Sequence, residues 1–227
     1  AVLPAGTMNL FARSLHVPLD LEQALTALAG GTVTAVDIAT ANRRPFVHQF
    51  SVGIHAKLVK LRESLTYRSR IGKMVASCRA AVGALLNPPR FRADVVTAQG
   101  LEQRTCSAII VTNNPLGEGH VPHPDGLDAG LLGIYIAKPM SFWALMGLCL
   151  SIVRGRWKDH PQVIEKQVRE VTLSFPRRKL SAVATLDGEL LELAPRIELR
   201  VHPKGLLVVV PVEAAAAVHT NTEAATA

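Results

Sequence analysis

Three stretches hold the residue types that could do chemistry. Asp187-Gly188-Glu189 supplies two carboxylates, but between alternating apolar runs the residues alone read first as a type I′ hairpin turn. The loop His120-Val121-Pro122-His123-Pro124-Asp125-Gly126-Leu127-Asp128 has nitrogen and carboxylate enough to suggest a metal site. Its His-x-x-His lacks a third fixed ligand, so a solvated loop is the better reading. Near the start, Pro4, Gly6, Thr7 and Asn9 precede an apolar run opened by Met8, Leu10 and Phe11. The spacing predicts a sharp turn followed by a helix that Thr7 or Asn9 caps, with free amides facing any anion placed there.

The elements around these stretches are mostly short strands. Helices are expected after Asn9 and over Leu19 to Ala29, stopped by Gly30-Gly31. Strands are then expected over Val33–Thr40, Pro45–Val52, Arg92–Ala98, Cys106–Thr112, Leu131–Ala137, Gln167–Phe175, Leu180–Leu186, Leu190–Leu193 and Ile197–His202. Ile71, Met74, Val75, Cys78, Val82 and Leu85 recur at helical spacing. Leu206 to Pro211 reads as a fully buried strand, and Glu213 to Ala227 as a frayed tail. The fold class expected is α+β, mainly β: an antiparallel sandwich or open barrel with a few helices.

The chain has 227 residues and a formal net charge of +7. At this length roughly 70% of the unfolded surface can be buried, enough for a substantial core. Three widely spaced cysteines, Cys78, Cys106 and Cys149, form no Cys-x-x-Cys pair, so neither a disulfide framework nor a zinc knuckle is indicated. Reduced cytoplasm is the expected compartment, and no secretory signal is recognisable. Met140 to Val153 is apolar but shorter than the ~20 residues a membrane span needs, and reads as a buried helix ahead of an interfacial one. Between Lys57 and Arg79 positive residues greatly outnumber the single acid Glu63. That face suits an anionic membrane surface first and plain solvation second. No nucleic-acid partner is expected, because neither zinc-finger spacing nor an RNP-like aromatic motif is present.

Leu3-Pro4-Ala5-Gly6-Thr7-Met8-Asn9-Leu10-Phe11-Ala12-Arg13 resembles the segment, usually near Pro-Leu-Gly-Thr-x-Asn-Asp-Phe-Ala-Arg, of the diacylglycerol kinase and sphingosine kinase-like lipid kinases. In that family it follows a Gly-Gly-Asp-Gly-Thr phosphate loop. Leu10 departs from the usual Asp. Val36-Asp37-Ile38, Phe46 through Gly53, Asn113-Asn114-Pro115, Leu127 through Leu132 and Leu186 through Glu189 continue the resemblance in order over nearly the whole chain.

The resemblance implies remnants of an α/β nucleotide-binding domain at residues 1–31, a β-rich domain at 32–204, and a strand at 205–212 returning to the nucleotide domain and here left without its sheet. It implies an ATP-dependent lipid kinase whose partners are a missing N-terminal nucleotide-binding domain and a lipid substrate at an anionic membrane, peripheral to its inner face. Asp187 would take the proton from the lipid hydroxyl, Glu189 would support it, and Gly6, Thr7 and Asn9 would line the nucleotide side, with Mg²⁺ accompanying the phosphates. Family members often carry a metal-holding carboxylate where Ala129 stands; a methyl group cannot coordinate magnesium, so Asp128 would have to substitute.

Two alternatives stand beside the kinase. A non-catalytic lipid-binding module is favoured by Ala129, Leu10 and the absence of the phosphate loop. The related NAD kinase group is disfavoured, since its Asn-Glu and Thr-x-Ser-Thr-Ala-Tyr segments are missing. A homo-oligomer is compatible with the sequence.

Overall fold

The computed structural model describes residues 1–6, 9–64, 88–117, 123–124, 126–177 and 182–218. Thr7, the helical pattern from Ile71 to Leu85 and residues 219–227 of the expected tail lie outside them.

Two short helices come first, α1 (Leu10–Ser14) and α2 (Leu21–Ala29). Asp20 caps α2 by accepting from the Gln23 amide at 3.0 Å, and Gly30 ends it. There follow β1 (Thr32–Ala41), β2 (Arg44–Phe46), β3 (Gln49–Gly53), α3 (Ile54–Ser64), β4 (Phe91–Thr97), β5 (Gly100–Cys106), β6 (Ala108–Asn113) and β7 (Leu132–Ala137). Next are α4 (Phe142–Val153), β8 (Val163–Val168), β9 (Glu170–Ser174), β10 (Val183–Leu186), β11 (Glu189–Glu192) and β12 (Arg196–Val210). A 3₁₀ turn over Val212–Ala214 follows.

The strands build two six-stranded antiparallel sheets, ordered β2-β1-β12-β9-β4-β5 and β11-β10-β3-β6-β7-β8. Period-2 alternation turns Phe50, Val52, Ile109, Val111, Ile134 and Ile136 of the second sheet toward Val95, Val171, Leu173 and Leu199 of the first, which makes the sandwich core. A second core gathers Leu15, Val17, Ala24 and Leu28 of the helical segment against Val36, Leu127, Val208 and Val210. A third, smaller one puts Leu148 and Ile152 of α4 over Ile110, Tyr135 and Trp157.

Several expected strands divide or merge. Pro45–Val52 splits into β2, paired to β1, and β3, paired to β6, so the chain changes sheets at Val47-His48. Gln167–Phe175 likewise splits at Arg169, between β8 in one sheet and β9 in the other. β5 was hidden by its polar run Leu101-Glu102-Gln103-Arg104-Thr105; it is an edge strand, where such a run is tolerated. Ile197–His202 and Leu206–Val210 are one continuous strand. The latter segment is not left without its sheet: it pairs with Thr32–Val36 of β1. Nor is it fully buried, because Leu207 is 71% exposed while Val208 and Val210 face the second core. The tail is anchored at its start, where the Val218 carbonyl accepts from Leu127 at 2.8 Å and Val218 is buried.

Gly53 joins β3 to α3 with φ 96°, and a Cβ there would lie 2.2 Å from the Ser107 carbonyl. Gly100, at φ 118°, has open space around it. Gly53→Ala should therefore cost about 3 kcal/mol, backbone strain plus collision, whereas Gly100→Ala should cost about 1 kcal/mol from strain alone. Urea unfolding of the two variants checks this; equal costs would contradict it.

Candidate functional site

Asp187 opens the β10–β11 turn with φ 49°, followed by Gly188 at φ 89°, as the expected hairpin requires. Its side chain does more than turn the chain. Oδ1 accepts from the amides of His48 and Gln49, both at 2.9 Å, and Oδ2 accepts from the amide of Val47 at 2.8 Å. Asp187 also donates its own amide to the Gln49 carbonyl at 2.8 Å. The carboxylate is thus fixed against the crossover between β2 and β3. It lies in an exposed turn, and Oδ2, with one protein donor, keeps acceptor capacity.

The crossover connects Asp187 to a second carboxylate. The His48 carbonyl accepts from the Asn113 amide at 3.0 Å. The Asn113 side chain donates to the Asp37 carbonyl at 2.9 Å and the Val47 carbonyl at 3.3 Å. Asp37 is 0% exposed and sits at the register shift between Val36 and Ile38, where β12 bulges and sets Pro203-Lys204-Gly205 opposite it. Its Oδ2 accepts from Gly130 at 2.6 Å and its Oδ1 from Lys204 at 2.8 Å. Asn114 holds Ala129 by accepting its amide at 3.0 Å. The seam Asp187, Val47-His48-Gln49, Asn113, Asp37, Gly130 therefore links both sheets to the loop that carries Asp128.

Beside the seam, under α3, lies a cluster of polar side chains. Ser51 Oγ is 2.7 Å from His55 Nδ1 and 2.6 Å from Thr185 Oγ1, and Gln49 Nε2 is 3.5 Å from His55 Nε2. His48 is half-buried, and burial holds its imidazole below 6.5; nearby Asp187 pulls the other way, and His55 adds to the lowering. Cys106 is inert as a nucleophile, since burial pushes its thiol up to about 12.

The remaining expected residues are placed differently. Glu189 is exposed on β11, paired with Leu186 across the hairpin. Asn9 does not cap α1 with its side chain: its Oδ1 takes the Gly6 amide at 2.7 Å and its Nδ2 donates to Pro4 at 3.2 Å. That side chain closes the Pro4–Gly6 turn. Asp128 is half-buried, but among the described residues no three His, Cys, Asp or Glu side chains come together to hold a metal. Ala129 offers no side-chain oxygen, and its amide is taken by Asn114. An accessory Mg²⁺ at this loop would rest on Asp128, the carboxylate next to Ala129.

Sequence reasoning did not single out Asp37, Asn113, His48, Ser51 or His55 as site residues. A lone carboxylate inside Val36-Asp37-Ile38 was a signal, since an acid amid β-branched residues must find partners if the strand is buried. Gln49 and Ser51 alternating with Phe50 and Val52 was another, marking a polar sheet face.

Residues 48–210 match the model of the YegS C-terminal NAD kinase beta sandwich-like domain, and residues 1–41 match the diacylglycerol kinase catalytic domain. A diacylglycerol kinase of Staphylococcus saprophyticus is 25% identical over 198 residues, 83% of this chain and 62% of that protein. One of Staphylococcus epidermidis is 26% identical over 211 residues, 87% of this chain and 64% of that protein. The chain thus spans about three-fifths of the length of these relatives. A solved structure from Bacillus anthracis, named a diacylglycerol kinase, has the same fold, with a TM-score of 0.63 at 17% identity over 90% of this chain and 66% of that one.

Because the folded His48 imidazole resists protonation, the unfolded chain takes up a proton that the folded chain refuses as pH falls through 6.5. Stability from this source is present above 6.5 and is lost on acidification. The urea midpoint should fall between about pH 7.5 and pH 5.5, and His48→Gln should flatten that slope; an unchanged slope would contradict the assignment.

Proposed function

Because the chain belongs to the YegS C-terminal NAD kinase beta sandwich-like family, we propose that it is the acceptor-side part of an ATP-dependent lipid kinase. The observation that carries this reading is the Asp187 carboxylate, oriented by three backbone amides and placed in an exposed turn. Phosphoryl transfer needs positioning more than covalent assistance. In the proposed step the lipid hydroxyl gives its proton to Asp187 Oδ2, its oxygen bonds to the γ-phosphorus of ATP, and the bond to the β-phosphate oxygen breaks, releasing ADP. The three amides keep the carboxylate in place while it changes charge.

A lipid acceptor is supported by a cavity of about 750 Å³ at the end of the sandwich where β3 meets α3. Val52, Phe91, Phe175, Val183 and Leu193 line it, with Lys57, Lys60, Arg90, Arg92 and Arg177 also contributing. Apolar walls with several cations suit acyl chains under an anionic headgroup layer better than a dinucleotide. The nucleotide would approach from the side of residues 1–31, whose helices pack on Leu127 next to the Asp37 seam. Gly6, Thr7 and Asn9 are the proposed nucleotide-side residues, Asn9 acting through the Pro4–Gly6 turn that it holds. Glu189 is a proposed neighbour of the acceptor.

A second reading is a lipid-binding module without phosphotransfer. It is favoured by Ala129, which puts a methyl group where the resemblance implies a metal-holding carboxylate.

Transfer of labelled phosphate from ATP to a mixed-lipid extract separates the two. The chain joined to an upstream segment bearing the Gly-Gly-Asp-Gly-Thr loop should label lipid, and Asp187→Asn should lower the rate at least ~100-fold, the usual scale for a general base. Circular dichroism must show that Asp187→Asn stays folded. No labelled lipid from the joined chain, with lipid binding retained, would overturn the kinase reading and leave the module.

A further inference from the structure

The sequence predicts a buried helix over Met140 to Val153, but α4 is buried on one side only. Ser141 caps it by accepting from the Ala144 amide at 3.4 Å, and its twelve residues carry no charge. Leu145, Leu148 and Ile152 face inward, the last two onto Tyr135 and Trp157. At 100° per residue the opposite face is the ridge Trp143, Met146, Leu150 and Val153. Trp143 is 79% exposed, Leu150 49% and Val153 65%. Three large apolar side chains along one exposed stripe are more than the scattered apolar residues of an ordinary surface.

Charge indicates what covers the ridge. Lys138 precedes α4, and Arg154, Arg156 and Lys158 follow it; Asp159 is the one acid in residues 138–160. Arg154 and Arg156 are exposed and pair with no carboxylate among the described residues, while Lys158 lies 3.7 Å from Glu165. The Lys138 ammonium is taken by the Pro161 carbonyl at 2.7 Å, so the basic charge open to a partner sits at the C-terminal end of the stripe, on Arg154 and Arg156. A flat anionic surface satisfies the ridge and these arginines at once, with the helix lying in its plane and tryptophan at headgroup depth. α3, which carries exposed Lys57 and Lys60, lies on the same outer face of the second sheet, over Ser51 and Thr185.

We infer that α4 is a membrane-docking element whose ridge of Trp143, Leu150 and Val153 enters the interface of an anionic phospholipid bilayer, with Arg154 and Arg156 on the headgroups. The inference rests on the fold and the exposed ridge, and holds whether or not the chain transfers phosphate.

The test uses the 227-residue chain, no nucleotide, and vesicles of phosphatidylcholine with or without phosphatidylglycerol. Trp157→Phe leaves Trp143 as the sole tryptophan. Its emission should shift to the blue with phosphatidylglycerol vesicles and be quenched by brominated acyl chains. In flotation at low salt, Arg154→Gln with Arg156→Gln should weaken binding roughly thirtyfold, and Leu150→Glu should weaken it about as much. All three substituted side chains are exposed, so flotation of these variants decides the matter even if Trp157→Phe fails to fold. Binding unchanged by either variant would overturn the inference. So would Trp143 already shielded without lipid in a species whose mass rises with protein concentration, which would assign the ridge to a second copy.

Discussion

A carboxylate buried in the middle of a strand costs several kcal/mol unless its lone pairs are satisfied, and the arrangement of this chain follows from how Asp37 meets that demand. Its oxygens take the amides of Gly130 and Lys204, from a loop and from the neighbouring strand β12. β12 bulges opposite Asp37 at Pro203-Lys204-Gly205, which brings the Lys204 amide to the carboxylate, and continues as one strand of fifteen residues. The half of β12 beyond the bulge meets the helical segment, and the half before it closes the sandwich. One buried charge sets where the two cores meet.

The same logic recurs at Asp187, which binds three amides of the crossover between the sheets. Asn113 joins the Asp187 and Asp37 segments through the main-chain carbonyls of His48 and Asp37. A proposed proton acceptor is thereby held by a network that also fixes the fold, so catalysis and stability are coupled at this position. Substitutions there need a folding control before activity is interpreted.

The sheet-rich class, the Asp187-Gly188 turn and most strand positions were legible in the sequence, because period-2 alternation and turn residues are local signals. Sheet membership was not. Pro45–Val52 and Gln167–Phe175 each read as one strand; the first is divided at the crossover that the Asp187 carboxylate holds, and the second by a change of sheet at Arg169. The edge strand β5 escaped because its polar residues have no pattern to match. The exposure of α4 was equally unreadable, since an uncharged apolar helix looks the same whether it faces a core or a membrane. Of the site, Asp187 was named for its motif, but its amide partners lie some 140 positions away in the chain. Asp37 offered only the oddity of an acid among β-branched neighbours.

Native-state hydrogen exchange of the five amides of Val47, His48, Gln49, Gly130 and Lys204 tests most directly whether the two carboxylates and Asn113 form one unit. The account predicts that all five are protected, that they open with one common free energy, and that Asn113→Ala lowers protection on both the Asp187 and Asp37 sides. Independent exchange, with the Val47–Gln49 amides opening freely while Gly130 and Lys204 stay protected, would contradict it.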